Sequence, residues 1–213
     1  MLTIWGCQWD ESPAETEDIL LIDEFEFDEL VRRYENETRD VWQMPDSVIH
    51  KFGGLNDKTI ADIGAGSGYF SFRMLQNGAK VIAVEIDNRF SDYLLERKSQ
   101  LSDSLQSFFE VRLATPEDPF LQFNEVDGIL IANTYIYLNN RVDYLKHLKQ
   151  CLKTKGRILI VDYHKKPTKQ GPPLEIRLPV QTISNEITEA GFTILEVDQL
   201  TLPYQYMILA EVR

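Results

Sequence analysis

The stretch Ala61-Asp62-Ile63-Gly64-Ala65-Gly66-Ser67-Gly68-Tyr69-Phe70 decides how the rest of this 213-residue chain is read. A short apolar run meets three glycines at alternate positions and continues into a helical pattern led by two aromatics. Glycines at such a strand-to-helix turn let the backbone curl tightly and leave main-chain N–H groups open to a ligand. The next apolar run, Val81-Ile82-Ala83-Val84, ends in Glu85, roughly 20 positions beyond Gly64, where a carboxylate accepts two hydrogen bonds from a ribose diol.

Outward from that turn, the chain alternates strand and helix. Strands are predicted at residues 59–63, 80–86, 108–113, 126–133 and 157–162, with helices at 69–76, 90–100 and 141–152. Short, continuously apolar strands separated by helices specify a parallel sheet covered on both faces. The end breaks the rhythm. A helix at 183–190 is followed by two strands, 192–197 and 206–212, with no helix between them, so that pair is antiparallel. Upstream, Phe27, Leu30, Val31 and Tyr34 fall at helical spacing within residues 23–36. A second short helix starts at Pro45 and stops at Gly53-Gly54. The expected architecture is α/β and Rossmann-like, with seven strands, six parallel and one antiparallel. Its divisions are a flexible acidic segment (1–22), a helical cap (23–56) and the main domain (57–213).

Composition narrows the function. Hydrophobic residues make up 43% of the chain, enough for one sizeable core. The balance of 22 Lys and Arg against 34 Asp and Glu gives a net charge of −12, which disfavours a phosphate backbone as partner. The longest apolar runs are far shorter than the roughly 20 residues that cross a bilayer. Cys7 and Cys151 make no disulfide framework, and no Cys/His cluster has metal-ligand spacing, so no metal is expected. A cytoplasmic location follows. The alternative is a lipid anchor on Cys7, at the end of the apolar run Leu2-Thr3-Ile4-Trp5-Gly6-Cys7, if the true start lies upstream.

The glycine spacing separates two ligand classes. A dinucleotide turn requires a third glycine where this chain has Tyr69. Gly64-x-Gly66-x-Gly68, with Asp62 before and Tyr69-Phe70 after, instead resembles the first motif of class I S-adenosylmethionine-dependent methyltransferases. The segments Val81 to Asp87, Ala114 to Phe120 with Val126 to Leu130, Leu148 to Asp162, and Leu202 to Tyr206 are similar, in order, to that family's later motifs. The chain as a whole resembles uncharacterised bacterial methyltransferase-domain proteins of the small-molecule type. The resemblance implies S-adenosylmethionine as cofactor, with S-adenosylhomocysteine as product. It implies that Gly64, Ala65, Gly66, Gly68 and Tyr69 line the methionine part and that Asp62 serves the amino group. Glu85 would hold the ribose and Ile86 the adenine face, with Thr115 near the adenine amino group and Asn133 beside the methionine moiety.

A sulfonium methyl is already electrophilic, so catalysis is chiefly positioning, and a base is needed only where the nucleophile must lose a proton. Asn133-Thr134-Tyr135-Ile136-Tyr137 lacks the prolines of nucleobase amino-methyltransferases. The expected acceptor is therefore a small-molecule oxygen, nitrogen or carbon, with no nucleic acid and no transmembrane segment; dimerisation stays open. Tyr137 and His164 are the candidate catalytic residues, His164 because its ordinary pKa lies near neutrality. Arg39 and Trp42 of the cap, and the basic loop 162–180, would shape the pocket. A cofactor-binding protein without turnover, a nicotinamide-dependent oxidoreductase and a protein methyltransferase are the alternative readings.

Overall fold

The computed structural model describes residues 24–36 and 38–212. The expected acidic segment 1–22 and Cys7 lie outside the described residues. Seven strands form one sheet: β1 (Thr59–Ile63), β2 (Lys80–Glu85), β3 (Phe109–Leu113), β4 (Val126–Ala132), β5 (Leu152–Tyr163), β6 (Thr193–Asp198) and β7 (Gln205–Glu211). Their order is β3-β2-β1-β4-β5-β7-β6. Every pairing from β3 to β5 is parallel, and β7 runs antiparallel to both its neighbours. The expected six-to-one sheet is therefore present, with the antiparallel strand inserted one place in from the edge.

The strands are apolar throughout because the sheet is covered twice. Ala61, Ile63, Ile129, Ile131, Ile158, Ile160 and Ile208 face α7 (Arg141–Cys151) and α8 (Val180–Glu189), through Leu145, Leu148, Ile183 and Ile187. Ile60, Leu130, Leu159, Val161, Met207 and Leu209 share the opposite layer with α3 (Pro45–His50), α4 (Tyr69–Gln76) and α5 (Asn88–Ser99). Continuous hydrophobicity in sequence thus splits by pleat into two alternating faces. Between β4 and β5 the register jumps from Val126↔Leu152 to Gly128↔Arg157, so Lys153-Thr154-Lys155-Gly156 bulge out. The strand therefore begins before this bulge, at Leu152, rather than at the expected residue 157.

The cap holds one more helix than expected. After α1 (Glu24–Tyr34) comes α2 (Thr38–Gln43), then α3 with Pro45 in its first turn. Six-residue α2 is too short to display a helical period, and tertiary contacts hold it. A further short helix, α6 (Asp103–Gln106), precedes β3. No helix of the described residues is long and apolar enough to cross a membrane.

Candidate functional site

The glycine turn sits at the carboxyl end of central β1. Gly64 and Ala65 donate from their backbone N–H groups to Val84 O of β2, at 2.9 and 3.1 Å. All three glycines have positive φ, at +72°, +55° and +82°, a region open to glycine and strained for other residues. Their surroundings differ. A Cβ on Gly64 would lie 2.4 Å from Thr134 Oγ1, and one on Gly68 would lie 2.6 and 2.7 Å from Phe72 and Leu94. Gly64 and Gly68 are thus packed against the protein, whereas a Cβ on Gly66 meets only the Tyr34 ring, at 3.4 Å.

The acidic residues are built into the same turn. Gly66 N–H donates to Glu85 Oε2 at 2.8 Å, and the N–H groups of Ile86 and Asp87 donate to Oε1 at 2.8 and 3.1 Å. Three backbone donors fix this 7% exposed carboxylate at the end of β2. Asp62 is buried beneath, accepting from Ser71 Oγ at 2.6 Å. Burial pushes its carboxyl up to about 6, opposed by the Ser71 hydroxyl and then by the Arg39 guanidinium.

Above the turn is a cavity of about 350 Å³. Gly64, Ala65, Gly66 and Ser67 form its floor, and Ala132, Asn133, Thr134 and Tyr137 form one wall. The cap contributes Leu30, Arg33, Tyr34, Arg39 and Trp42, the end of β5 contributes Tyr163, and the loop after it contributes Gln170, Gly171 and Pro172. The cap is tied down around it. Tyr34 stacks on Phe90 of α5 with ring centroids 5.5 Å apart. Arg97 donates to Glu35 at 2.7 Å, and Arg73 donates to Asp40 at 2.8 Å. The Arg39 and Arg73 guanidiniums lie 3.8 and 3.9 Å from the Tyr69 ring centroid. Tyr69 therefore braces the cap and stands outside the cavity lining.

The remaining sequence candidates divide. Asn133 lines the cavity with φ +62°, because the chain leaves β4 here for a 3-10 turn, Tyr135–Tyr137. Its Oδ1 accepts from Gln205 Nε2. Tyr137, 62% exposed, stands at the mouth; burial, and then the Asp162 charge, raise its hydroxyl above the usual value, keeping it a proton donor. Ile86 is exposed beside Glu85. Thr115 lies on the same rim at the end of β3, closing a turn with Asp118 by N–H···O at 3.0 Å.

His164 is not brought to the cavity. Its ring packs edge-on against Tyr206 at 5.6 Å, its Nε2 is buried with no hydrogen-bond partner, and burial lowers its pKa. Strand alternation places it on the opposite face from Tyr163, which does line the cavity. Arg33, Ser67 and Thr134 line it without having been singled out; Arg33 carried no motif that marks it.

Residues 61–160 match the family model described as a methyltransferase domain. The tRNA U34 carboxymethyltransferase of Hydrogenovibrio crunogenus is 27% identical over 154 residues, which is 71% of this chain and 42% of that protein. The chain therefore spans less than half the length of that curated relative. A SAM-dependent methyltransferase from Aquifex aeolicus has the same fold, with a TM-score of 0.80 at 23% identity, covering 87% of this chain and 98% of the other. Phosphoethanolamine N-methyltransferase 2 of Haemonchus contortus, solved with S-adenosyl-L-methionine, aligns with a TM-score of 0.65 at 17% identity over 75% of this chain and 39% of that one. The chain is class I methyltransferase-like, and the expected fold, enzyme class and cofactor agree with these findings. The expectation of a small-molecule partner and no nucleic acid is corrected, since the curated relative is named for tRNA. Net charge does not decide the question, because it averages over the whole surface, whereas binding responds to the local field.

Proposed function

We propose that this chain is an S-adenosylmethionine-dependent methyltransferase whose acceptor is an RNA base, transferring by in-line displacement to an oxygen, nitrogen or carbon nucleophile. The observation that carries the cofactor reading is the Gly66 cradle: a positive-φ glycine that lines the cavity, locked by its own N–H to the buried carboxylate of Glu85. Gly64, Ala65, Gly66 and Gly68 would hold the methionine part. Asp62 would answer its ammonium group, while Glu85, Ile86 and Thr115 would serve ribose and adenine, and Asn133 would close the methionine side. The cofactor supplies an electrophilic sulfonium methyl, so the protein need only orient the nucleophile and keep water out.

The acceptor reading is supported by the relative's name and by the cavity wall. Trp42, Tyr137 and Tyr163 offer planar surfaces on which an unstacked base packs. Tyr137, at the mouth with its proton held, would contact the acceptor. His164 is given no catalytic part, being outside the lining.

Calorimetric titration with S-adenosylmethionine, S-adenosylhomocysteine and NAD tests the cofactor: the first two bind and the third does not. Incubation with labelled cofactor and bulk tRNA tests the acceptor. Label in the RNA is expected. No label from protein that binds S-adenosylhomocysteine would overturn the RNA reading and leave the cofactor reading standing.

A further inference from the structure

Residues 164–179, between β5 and α8, form a folded basic platform against the cavity mouth. Arg177 is its hub, 4% exposed. Its Nε donates to Pro172 O at 2.8 Å. Its Nη1 donates to His164 O, Lys166 O and Thr168 Oγ1 at 3.1, 2.9 and 2.7 Å, and Nη2 donates to Gln170 O at 3.2 Å. The loop is thus wound around one guanidinium, and its backbone entropy is spent on folding rather than on binding. A Cβ on Gly171 would fall 2.5 Å from the Tyr163 ring, so the winding rests directly on the cavity wall.

The winding turns Lys165, Lys166 and Lys169 outward, all exposed. Several cations of this acidic protein are paired with carboxylates: Lys51 with Glu196 and Asp198, Arg112 with Glu110 and Glu125, Arg141 with Glu186, Lys153 with Asp127. Among the described residues no carboxylate makes an ion pair with Lys165, Lys166, Lys169 or Arg33. Arg33 lines the cavity from the cap side, and the three lysines stand on the loop that supplies Gln170, Gly171 and Pro172 to its wall. A second hollow, lined by Lys166, Thr168, Lys169, Pro203 and Tyr204, opens beside the first. Trp42 joins the two, with its ring centroid 6.0 Å from Tyr163 of one and 6.1 Å from Tyr204 of the other.

We infer that this loop is a phosphodiester platform: Lys165, Lys166 and Lys169 take phosphates adjoining the base that enters the cavity. The inference rests on the RNA-acceptor reading above. Three exposed cations on a pre-folded loop, with no carboxylate paired to them among the described residues, supply the counter-charge a nucleic-acid strand requires, in a molecule whose net charge otherwise repels one. The aromatic wall between the hollows suits the base that those phosphates carry.

The test is fluorescence anisotropy of a labelled single-stranded RNA of a dozen nucleotides, titrated with the whole chain at several salt concentrations. Wild type is compared with the triple variant Lys165→Ala, Lys166→Ala, Lys169→Ala. A control carries Lys80→Ala and Lys155→Ala, at the opposite end of the strands. Loss of three phosphate contacts lowers the slope of log affinity against log salt by about 2, and affinity at low salt by at least about tenfold. S-adenosylhomocysteine binding stays unchanged, which reports an intact fold. An unchanged slope in the triple variant, or an equal fall in the control, overturns the platform and leaves the RNA reading in place. No RNA binding by wild type that binds S-adenosylhomocysteine overturns both.

Discussion

Gly66 is the one glycine of the turn whose missing side chain leaves space for a ligand rather than for the protein itself. Gly66→Arg should abolish S-adenosylhomocysteine binding in calorimetry while circular dichroism stays close to wild type and the thermal midpoint falls by only a few degrees, the cost of a side chain at positive φ; retained affinity would remove the cofactor from this turn. Glu85→Ala loses charged hydrogen bonds and should weaken binding by about 1–3 kcal/mol, read in the same titration. Asp162 is a different case. Its Oδ1 accepts from Tyr163 N–H at 2.7 Å, its Oδ2 is buried without a hydrogen-bond partner among the described residues, and burial pushes its carboxyl up to about 6. A carboxyl raised above its unfolded value contributes stability fully present below the unfolded pKa, near 4, and lost as pH rises through 6. Asp162→Asn should therefore raise the thermal midpoint at pH 7.5 by an amount reflecting about 2–3 kcal/mol and change it little at pH 4. Calorimetric scans at the two pH values check this.

At the scale of elements, the cap divides: α3 packs into the core, whereas α1 and α2 are tied to the main domain partly by exposed pairs. Its ties to the main domain include the Glu35–Arg97 and Asp40–Arg73 pairs, whose side chains are about a third exposed or more, so each contributes little to stability. They nevertheless hold α1 and α2 over the cavity, where Tyr34 faces Gly66. Glu35→Ala with Asp40→Ala should leave the thermal midpoint nearly unchanged and speed S-adenosylhomocysteine dissociation several-fold in stopped-flow measurement. An unchanged rate would mean that the cap does not gate release. The loop after β5 depends instead on one buried residue. The basic composition of loop 162–180 does not reveal that Arg177 is buried, because nothing local announces that five acceptors of its own loop converge on it. The 62-to-66 turn and Glu85 were legible because strand, glycine spacing and strand-end acid obey backbone geometry. Short α2 was not, since tertiary contacts rather than periodicity hold it.

For the whole molecule, the sheet order explains where the site is. The chain moves outward from β1 through β2 to β3, then returns to β4 and builds the other way. The crevice between β1 and β4 lies where the order reverses, and ligands bind there beyond the carboxyl ends of the strands. Ligand binding at this crevice couples to global stability. S-adenosylhomocysteine at 100 times its dissociation constant should add roughly 2.7 kcal/mol, a rise of about 5–10 °C in thermal midpoint for a domain of this size. NAD at the same concentration should give none. By itself the sequence determined the α/β class, the seven strands and their one reversal, the glycine turn and its acidic partner, because each follows from local backbone rules and from apolar runs that must be buried. Only the tertiary structure decided that His164 faces away from the cavity, that Tyr69 braces the cap, that Arg177 is buried, and that three exposed lysines share a loop with part of the aromatic wall. Those facts depend on which distant residues fill the space around each side chain, and no spacing along the chain encodes that.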